Sequence, residues 1–275
     1  MKKYIYLLAT IILGALMAQS CMKVKEDAIQ DTEMITATVM IDINYELDFS
    51  SGIEQSAQNN SYHELIPPQS SNPPACATIT VETAPGGGFP RTFTVDYGTG
   101  CNINGFTRSG KLIITLSDYF MNPGCVMTVT RENYKANDWA SEGTIVFTNE
   151  SIDDESPTWS RSVNNMVFTN QLGIVYHSSG NRIVRQIGGF GNTDLEDNVY
   201  EISSGSQTLS KDNGQSLTID ILSPVVKLFS CDYISEGVMH IEGELLNGNI
   251  DYGDGNCDNK AVYTHNNGLT FKMNL

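Results

Sequence analysis

Basic residues are scarce in this chain. Sixteen Lys plus Arg stand against 32 Asp plus Glu, a formal charge of −16 over 275 residues. A surface this acidic cannot neutralise phosphates, which excludes nucleic acid as a partner. Charged residues reach only 17% of the chain, below the roughly 25% usual in soluble domains. The shortage of Lys, Arg, Ala and Leu argues against a helical bundle. Long apolar runs are lacking beyond the first twenty residues, so the chain is no polytopic membrane protein. The four histidines, His63, His177, His240 and His265, stand far apart. No His-x-x-x-His or Cys-x-x-Cys spacing occurs, so zinc is not expected. Neither a Gly-x-Ser-x-Gly elbow, a P-loop nor a dinucleotide fingerprint is found, and no cofactor is expected. What the chain does have is 24 Gly and 24 Asn, the material of tight turns.

The N-terminus reads as an address. Lys2 and Lys3 precede an apolar stretch from Tyr4 to Ala18, too short to span a bilayer comfortably but suited to a signal peptide. It closes on Ala18-Gln19-Ser20-Cys21. A cysteine directly after the cut is what lipoprotein processing requires, so residues 1–20 are expected to be a lipoprotein signal peptide and Cys21 the lipidated residue. Ala18 stands where the usual lipobox has Leu. The alternative is simple secretion with Cys21 left for a disulfide. Removing residues 1–20, with their two lysines, takes the formal charge from −16 to −18. An anionic lipid surface repels such a chain, so lipid rather than charge would hold it at the outer membrane. Lys25-Glu26-Asp27 follows closely. A lysine and two acids behind the anchor resemble the surface-export signal of Bacteroidetes lipoproteins.

Residues 21–75 read as the anchor and a mostly flexible spacer. Residues 22–34 are polar and aperiodic. From Ile35 to Asp48, Ala37, Val39, Ile41, Ile43 and Tyr45 alternate with Thr38, Met40, Asp42 and Asn44. This favours a strand, with a short helix as the alternative because Met34, Ala37 and Ile41 also share a helical face. Ser50 to Pro74 holds Gln, Asn, Ser and the doubled Pro67-Pro68 and Pro73-Pro74, which reads as extended linker.

Residues 76–275 change to short alternating runs. Phe93, Val95 and Tyr97 form one, and Leu112, Ile114 and Leu116 another. Leu217, Ile219 and Ile221 form a third, and Leu269, Phe271 and Met273 close the chain. Period-two alternation buries one face and wets the other. Asn104-Gly105, Asn213-Gly214, Asn247-Gly248 and Asn267-Gly268 punctuate these runs, and Asn-Gly is a strong hairpin signal. An all-β, antiparallel, sandwich-like domain of about fourteen or more strands is expected.

An internal repeat organises it. Val95-Asp96-Tyr97-Gly98-Thr99-Gly100-Cys101 is echoed by Ile250-Asp251-Tyr252-Gly253-Asp254-Gly255-Asn256-Cys257. A cysteine precedes each at nearly the same distance, Cys76 and Cys231. Two related three-stranded units, 76–117 and 231–275, would flank a middle stretch, 118–230. Equivalent placement pairs Cys76 with Cys101 and Cys231 with Cys257, which an oxidising envelope allows. Cys125 is left over, alternating with Met127 and Val129 as a small apolar side chain.

These motifs, with Arg108-Ser109-Gly110-Lys111, Gly143-Thr144, Tyr200-Glu201-Ile202 and Asp258-Asn259-Lys260-Ala261, resemble a family of uncharacterised Bacteroidetes surface lipoproteins. The resemblance covers about residues 76–275. It implies location and architecture and carries no catalytic residue with it.

The remaining chemistry is sparse. Asp251, Asp254 and Asp258 invite calcium at the Asp-Tyr-Gly-Asp-Gly turn but miss the EF-hand spacing. The simpler reading has Asp96 and Asp251 hydrogen-bonding the following backbone. Asn192, Asp194, Glu196 and Asp197 form another acidic loop, expected to be solvated. Trp139 and Trp159, the only tryptophans, fall near Tyr134 among polar residues. Tyr134, Trp139 and Trp159 are therefore the candidate ligand face, against the alternative that they are core. Two functions follow from different classes. One is a non-enzymatic, surface-exposed binding or structural module whose partner is a glycan or an envelope protein. The other is an extracellular glycan hydrolase, needing only two carboxylates about 5–10 Å apart.

Overall fold

The computed structural model describes residues 32–63, 76–103, 105–152, 156–190 and 194–275. The leader, Cys21, Lys25-Glu26-Asp27, the spacer residues 22–31 and 64–75, Asn104 and Asn192 lie outside them. Helix α1 covers residues 32–58. Strands β1 (Thr78–Thr83), β2 (Arg91–Asp96), β3 (Cys101–Ile103), β4 (Phe106–Leu116) and β5 (Val126–Ala136) follow. Next come β6 (Trp139–Glu142), β7 (Ile145–Asn149), β8 (Thr158–Thr169), β9 (Val175–Gly188) and β10 (Val199–Lys211). The last five are β11 (Ser216–Leu228), β12 (Glu236–Gly243), β13 (Asn247–Asp254), β14 (Lys260–His265) and β15 (Thr270–Asn274). A 3-10 turn, Leu195–Asp197, interrupts the β9–β10 connection.

All fifteen strands belong to one antiparallel sheet. Its order is β1-β2-β4-β5, then β6 and β7 sharing the place between β5 and β8, then β8 to β15 in sequence. The short β3 pairs with β4. The expected antiparallel β body is present, and its layered form is specific: one sheet wound around α1.

The helix lies inside the sheet's curve. Residues 37–49 are buried without exception, although a helix on a surface would expose one stripe. Its partners come from strands far apart in the sheet. Phe49 packs on Phe147 of β7, Trp159 of β8 and Tyr200 of β10, and also on Phe120. Tyr45 packs on Phe168 of β8. Ser51 accepts a hydrogen bond from Arg108 of β4. Glu33 meets Tyr176 of β9 and Lys211 of β10.

Bulges let the long strands curve. Register shifts interrupt the ladders of β4 with β5, β8 with β9, β9 with β10, β10 with β11, β11 with β12 and β12 with β13. Each adds local twist and bend. Gly205, at φ 112°, sits in one such bulge, where a Cβ would stand 2.1 Å from the Asn181 carbonyl oxygen. Only glycine fits there.

Residues 32–58 correct both expectations for this region, the strand at 35–48 and the spacer from 49. Alternating apolar and polar residues imitate a half-buried strand. Here the alternation is compatible with helix because every side of the helix is covered, so no 3.6-residue stripe is needed. Three of its polar side chains bond locally: Thr38, Asn44 and Ser51 donate to the carbonyls of Met34, Met40 and Leu47, one turn back. Asn60, at φ 52°, ends the helix, and the Ser61 amide returns to the Ser56 carbonyl at 2.7 Å. That closure is a Schellman motif with Asn in place of Gly.

Both disulfides form as spacing indicates, Cys76–Cys101 and Cys231–Cys257, with Cα separations of 5.4 and 5.7 Å. Cys125 is buried with a free thiol that donates to the Asp118 carbonyl at 3.2 Å. The Asp-x-Gly turns match, Asp96 accepting from Gly98 and Asp251 from Gly253, both at 2.9 Å. Beyond the second cysteine the two units part. In the first, β4 pairs directly with β2; in the second, β14 takes that place and the strand opened by Gly268, β15, pairs with β14. Each unit therefore has four strands rather than three, the extra one being β3 beside β4 in the first and β15 beside β14 in the second. Asn247-Gly248 is also not a turn: both residues belong to β13, and the reversal falls at 244–246.

Removing the hub of the aromatic cluster leaves a cavity that the surrounding strands cannot close. Phe49→Ala is expected to lower unfolding free energy by about 3–5 kcal/mol, measured by denaturant titration. A loss comparable to that of a surface substitution would show that the helix does not pack as described.

Candidate functional site

The proposed ligand face does not exist as a surface. Tyr134 on β5, Trp139 on β6 and Trp159 on β8 are 2%, 9% and 1% exposed. Trp159 stacks on Phe120 at 5.0 Å, Trp139 tilts against Tyr176 at 5.5 Å, and Tyr134 faces Tyr97 at 6.0 Å. All three are core, because the strand positions they occupy point at α1.

The same inward face carries charge. Arg161 of β8 donates to Glu46 at 2.7 Å and lies 4.0 Å from Asp42, its side chain 1% exposed. Arg131 of β5 pairs with Asp48. Arg182 of β9, also buried, is near enough to Asp42 to act on its charge. Burial pushes the carboxyls of Asp42, Glu46 and Asp48 upward, and the arginines oppose that shift without cancelling it. Lys227 of β11 donates to the carbonyls of Leu228, at 2.8 Å, and Cys231. Burial brings its ammonium down to about 8, with Asp232 and Glu46 opposing.

Toward the C-terminal end of α1 this charged interior opens into a cavity of about 100 Å³. The helix supplies Ser50, Ser51, Glu54 and Gln55. Tyr97, directly after β2, and Arg108 of β4 line it too, and the later half of the chain supplies Glu196, Phe229 and Asp232. The cavity thus sits where the first strands of the sheet meet its distant connections. Phe106 on β4, packed at 5.2 Å against Tyr233, holds that seam. Both disulfides brace it, since Cys101 opens β3 and Cys231 adjoins Asp232.

Arg108 is the centre of the site. Its Nη1 donates to Ser51 at 3.0 Å and to the Tyr97 hydroxyl at 3.3 Å, with the guanidinium 5.7 Å from the Tyr97 ring centroid. The Glu54 carboxyl is raised by burial; Arg108 counters that shift, and Asp232 and Glu196 add to it. Such an arrangement can hold a small polar ligand, and it also places several carboxylates around one cavity.

Sequence reasoning missed Glu54 and Gln55 because they fell in the segment read as spacer. The signal available was the absence of proline between residues 32 and 66. Arg108 and Glu196 were noticed only as motif and loop residues, and nothing in their spacing joins them to Asp232.

The turn carboxylates are occupied by their own loops. Asp254 accepts from Asn256 at 2.6 Å, Asp258 from Lys260 at 2.9 Å, and Asp194 caps the 3-10 turn through the Glu196 amide. Among the described residues no group of three or more His, Cys, Asp or Glu is placed to hold a metal ion. No helix among them is long and apolar enough to cross a membrane. Comparison with family models, curated proteins and solved structures finds no match.

Two outcomes follow from the buried charges. Asp48→Ala leaves Arg131 buried without its partner and is expected to cost about 3–5 kcal/mol, whereas Asp48→Leu with Arg131→Met should cost far less. Equal losses in equilibrium unfolding would show the pair to be a minor contributor. Lys227 gives a pH signature. Between pH 8 and its ordinary 10.5 the unfolded chain holds a proton that the folded chain has released, so this group makes stability rise with pH. Lys227→Met should remove that rise, seen by comparing unfolding midpoints of the two proteins from pH 8 to 9.5. Parallel pH profiles would contradict the assignment.

Proposed function

We propose that this chain is a lipid-anchored protein of the outer-membrane surface whose β body is a non-enzymatic binding or structural module. Cys21 directly behind the apolar run, followed by Lys25-Glu26-Asp27, supports the anchoring and the outward orientation. The observation that carries the binding role is the seam cavity. It gathers polar groups from α1, strand β4, the turn after β2 and two later connections, with Ser51, Gln55 and Arg108 buried. A site fixed this firmly loses little freedom when a ligand enters. Its partner is a small molecule, a glycan end or an exposed part of an envelope protein, and the strongly negative chain speaks against nucleic acid.

A second reading rests on one specific observation. Glu54, its carboxyl raised by burial and by Asp232 and Glu196, faces a cavity that could admit a glycan end. A carboxyl raised by burial, facing a second carboxyl across a cavity, is the arrangement a glycoside hydrolase needs.

Mass spectrometry of the mature N-terminus should find acyl chains on Cys21, and protease added to intact cells should degrade the protein. A free Cys21 thiol contradicts the anchor, and full protection contradicts the outward orientation. For the second reading, purified protein would release reducing ends from an extracellular polysaccharide, and Glu54→Gln would lower that rate by at least about a hundredfold. No turnover across a polysaccharide panel leaves the binding module as the function.

A further inference from the structure

We infer that the seam cavity takes the head group of a small free amino acid, an ammonium beside a carboxylate. This rests on the reading of that cavity as the binding site and names the class of molecule that enters it. The buried atoms of its lining include a donor and an acceptor with no hydrogen-bond partner. The donor is Nε of Arg108, whose residue is 6% exposed. The acceptor is Oε1 of Gln55, whose residue is 2% exposed. Buried polar atoms left unmatched are costly, and native structures pair nearly all of them. A ligand that offers an acceptor to Arg108 and a donor to Gln55 would match both.

Charge decides what kind of donor. Glu54, Glu196 and Asp232 line the cavity with Arg108, and Lys227 lies close enough behind to act on Asp232 and Glu196. Acidic side chains outnumber basic ones around the cavity, within a chain of formal charge −16. The field favours a cationic donor over a neutral one. These carboxylates are not grouped closely enough to hold a metal ion. An ammonium, whose hydrogens point in three directions, suits acceptors that are spread apart. The carboxylate of the same ligand then falls to Arg108, the residue type best shaped for it.

Size and lining narrow the ligand further. A cavity of about 100 Å³ is smaller than the roughly 150 Å³ that takes up a benzene ring. That suits glycine, alanine or serine better than a hexose. Both tryptophans are in the core, so neither offers a face to a sugar, while Val95, Ile103 and Phe229 offer an apolar wall to a short side chain.

The test is a titration of the full, disulfide-bonded chain with glycine and with L-alanine, followed by calorimetry and by NMR shifts. Saturable one-to-one binding is expected. N-acetyl-L-alanine, which lacks the ammonium, and L-alaninamide, which lacks the carboxylate, should each bind at least about tenfold more weakly. Glu54→Gln, at a partly exposed position where folding tolerates the change, should weaken L-alanine similarly, and so should Gln55→Leu. Asp212→Asn, on a distant turn, should leave affinity unchanged. The inference is overturned if neither amino acid binds at tens of millimolar, or if N-acetyl-L-alanine binds as tightly as L-alanine. Full affinity in folded Glu54→Gln overturns it equally. A chain that binds an envelope polymer but no amino acid overturns this inference alone, whereas one that turns over such a polymer overturns the binding-module reading as well.

Discussion

A helix bearing acids, enclosed by strands bearing arginines, is the constraint from which the rest of the molecule follows. Asp42, Glu46 and Asp48 sit on α1 inside the sheet, and Arg131, Arg161 and Arg182 reach them from β5, β8 and β9. Taking such ions out of water costs several kcal/mol each. The raised carboxyls of all three acids show that pairing recovers only part of that cost. The net stabilisation must therefore come from the apolar residues of the same helix, above all Tyr45 against Phe168 and, one turn on, Phe49 among four aromatic rings. Packing supplies the energy, and the ion pairs limit where the energy can be collected. A helix shifted by one residue would turn Glu46 and Asp48 about 100° away from their arginines.

This division explains which parts of the fold were legible in the sequence. Strands β2, β4 and the first half of β11 were read from alternation because each has one face on the core and one in water: Phe93 and Val95, Leu112 and Ile114, Leu217 and Ile219 are all buried. The disulfides were legible from the repeat, since both cysteine pairs hold the same hairpin in the same way. Helix α1 was not, because periodicity reports one-sided burial and this helix is buried on every side. Its Thr, Val and Ile content, poor in intrinsic helix propensity, deepened the misreading. Trp139 and Trp159 misled for the opposite reason. Their sequence neighbours are polar because alternate strand residues face outward, while the tryptophans themselves face the core.

The candidate site was illegible for a topological reason. Glu54, Arg108, Glu196 and Asp232 come from the helix, the fourth strand, a 3-10 turn and a late connection. No local pattern joins residues separated by more than half the chain. Their proximity exists only because the sheet curls until its early strands meet its later connections, as the contact of Phe106 with Tyr233 records.

It follows that the site cannot be assembled piecemeal. The helix wall is placed by contacts with strands β5 to β10, and the strand wall is placed by β2 to β4, which pair with the rest only through the sheet. The third wall depends on Lys227, whose ammonium gathers the Leu228 and Cys231 carbonyls and so fixes the turn before Asp232. Cys231–Cys257 then ties that turn to the end of β13. Sequence-distant contacts of this kind carry a large loop-closure cost before they return any energy, and a disulfide reduces it by restricting the unfolded chain. The two disulfides lie at the two segments that meet over the cavity. Each closes its own loop, of sequence separation 25 and 26, and so restricts one of those segments before the two meet.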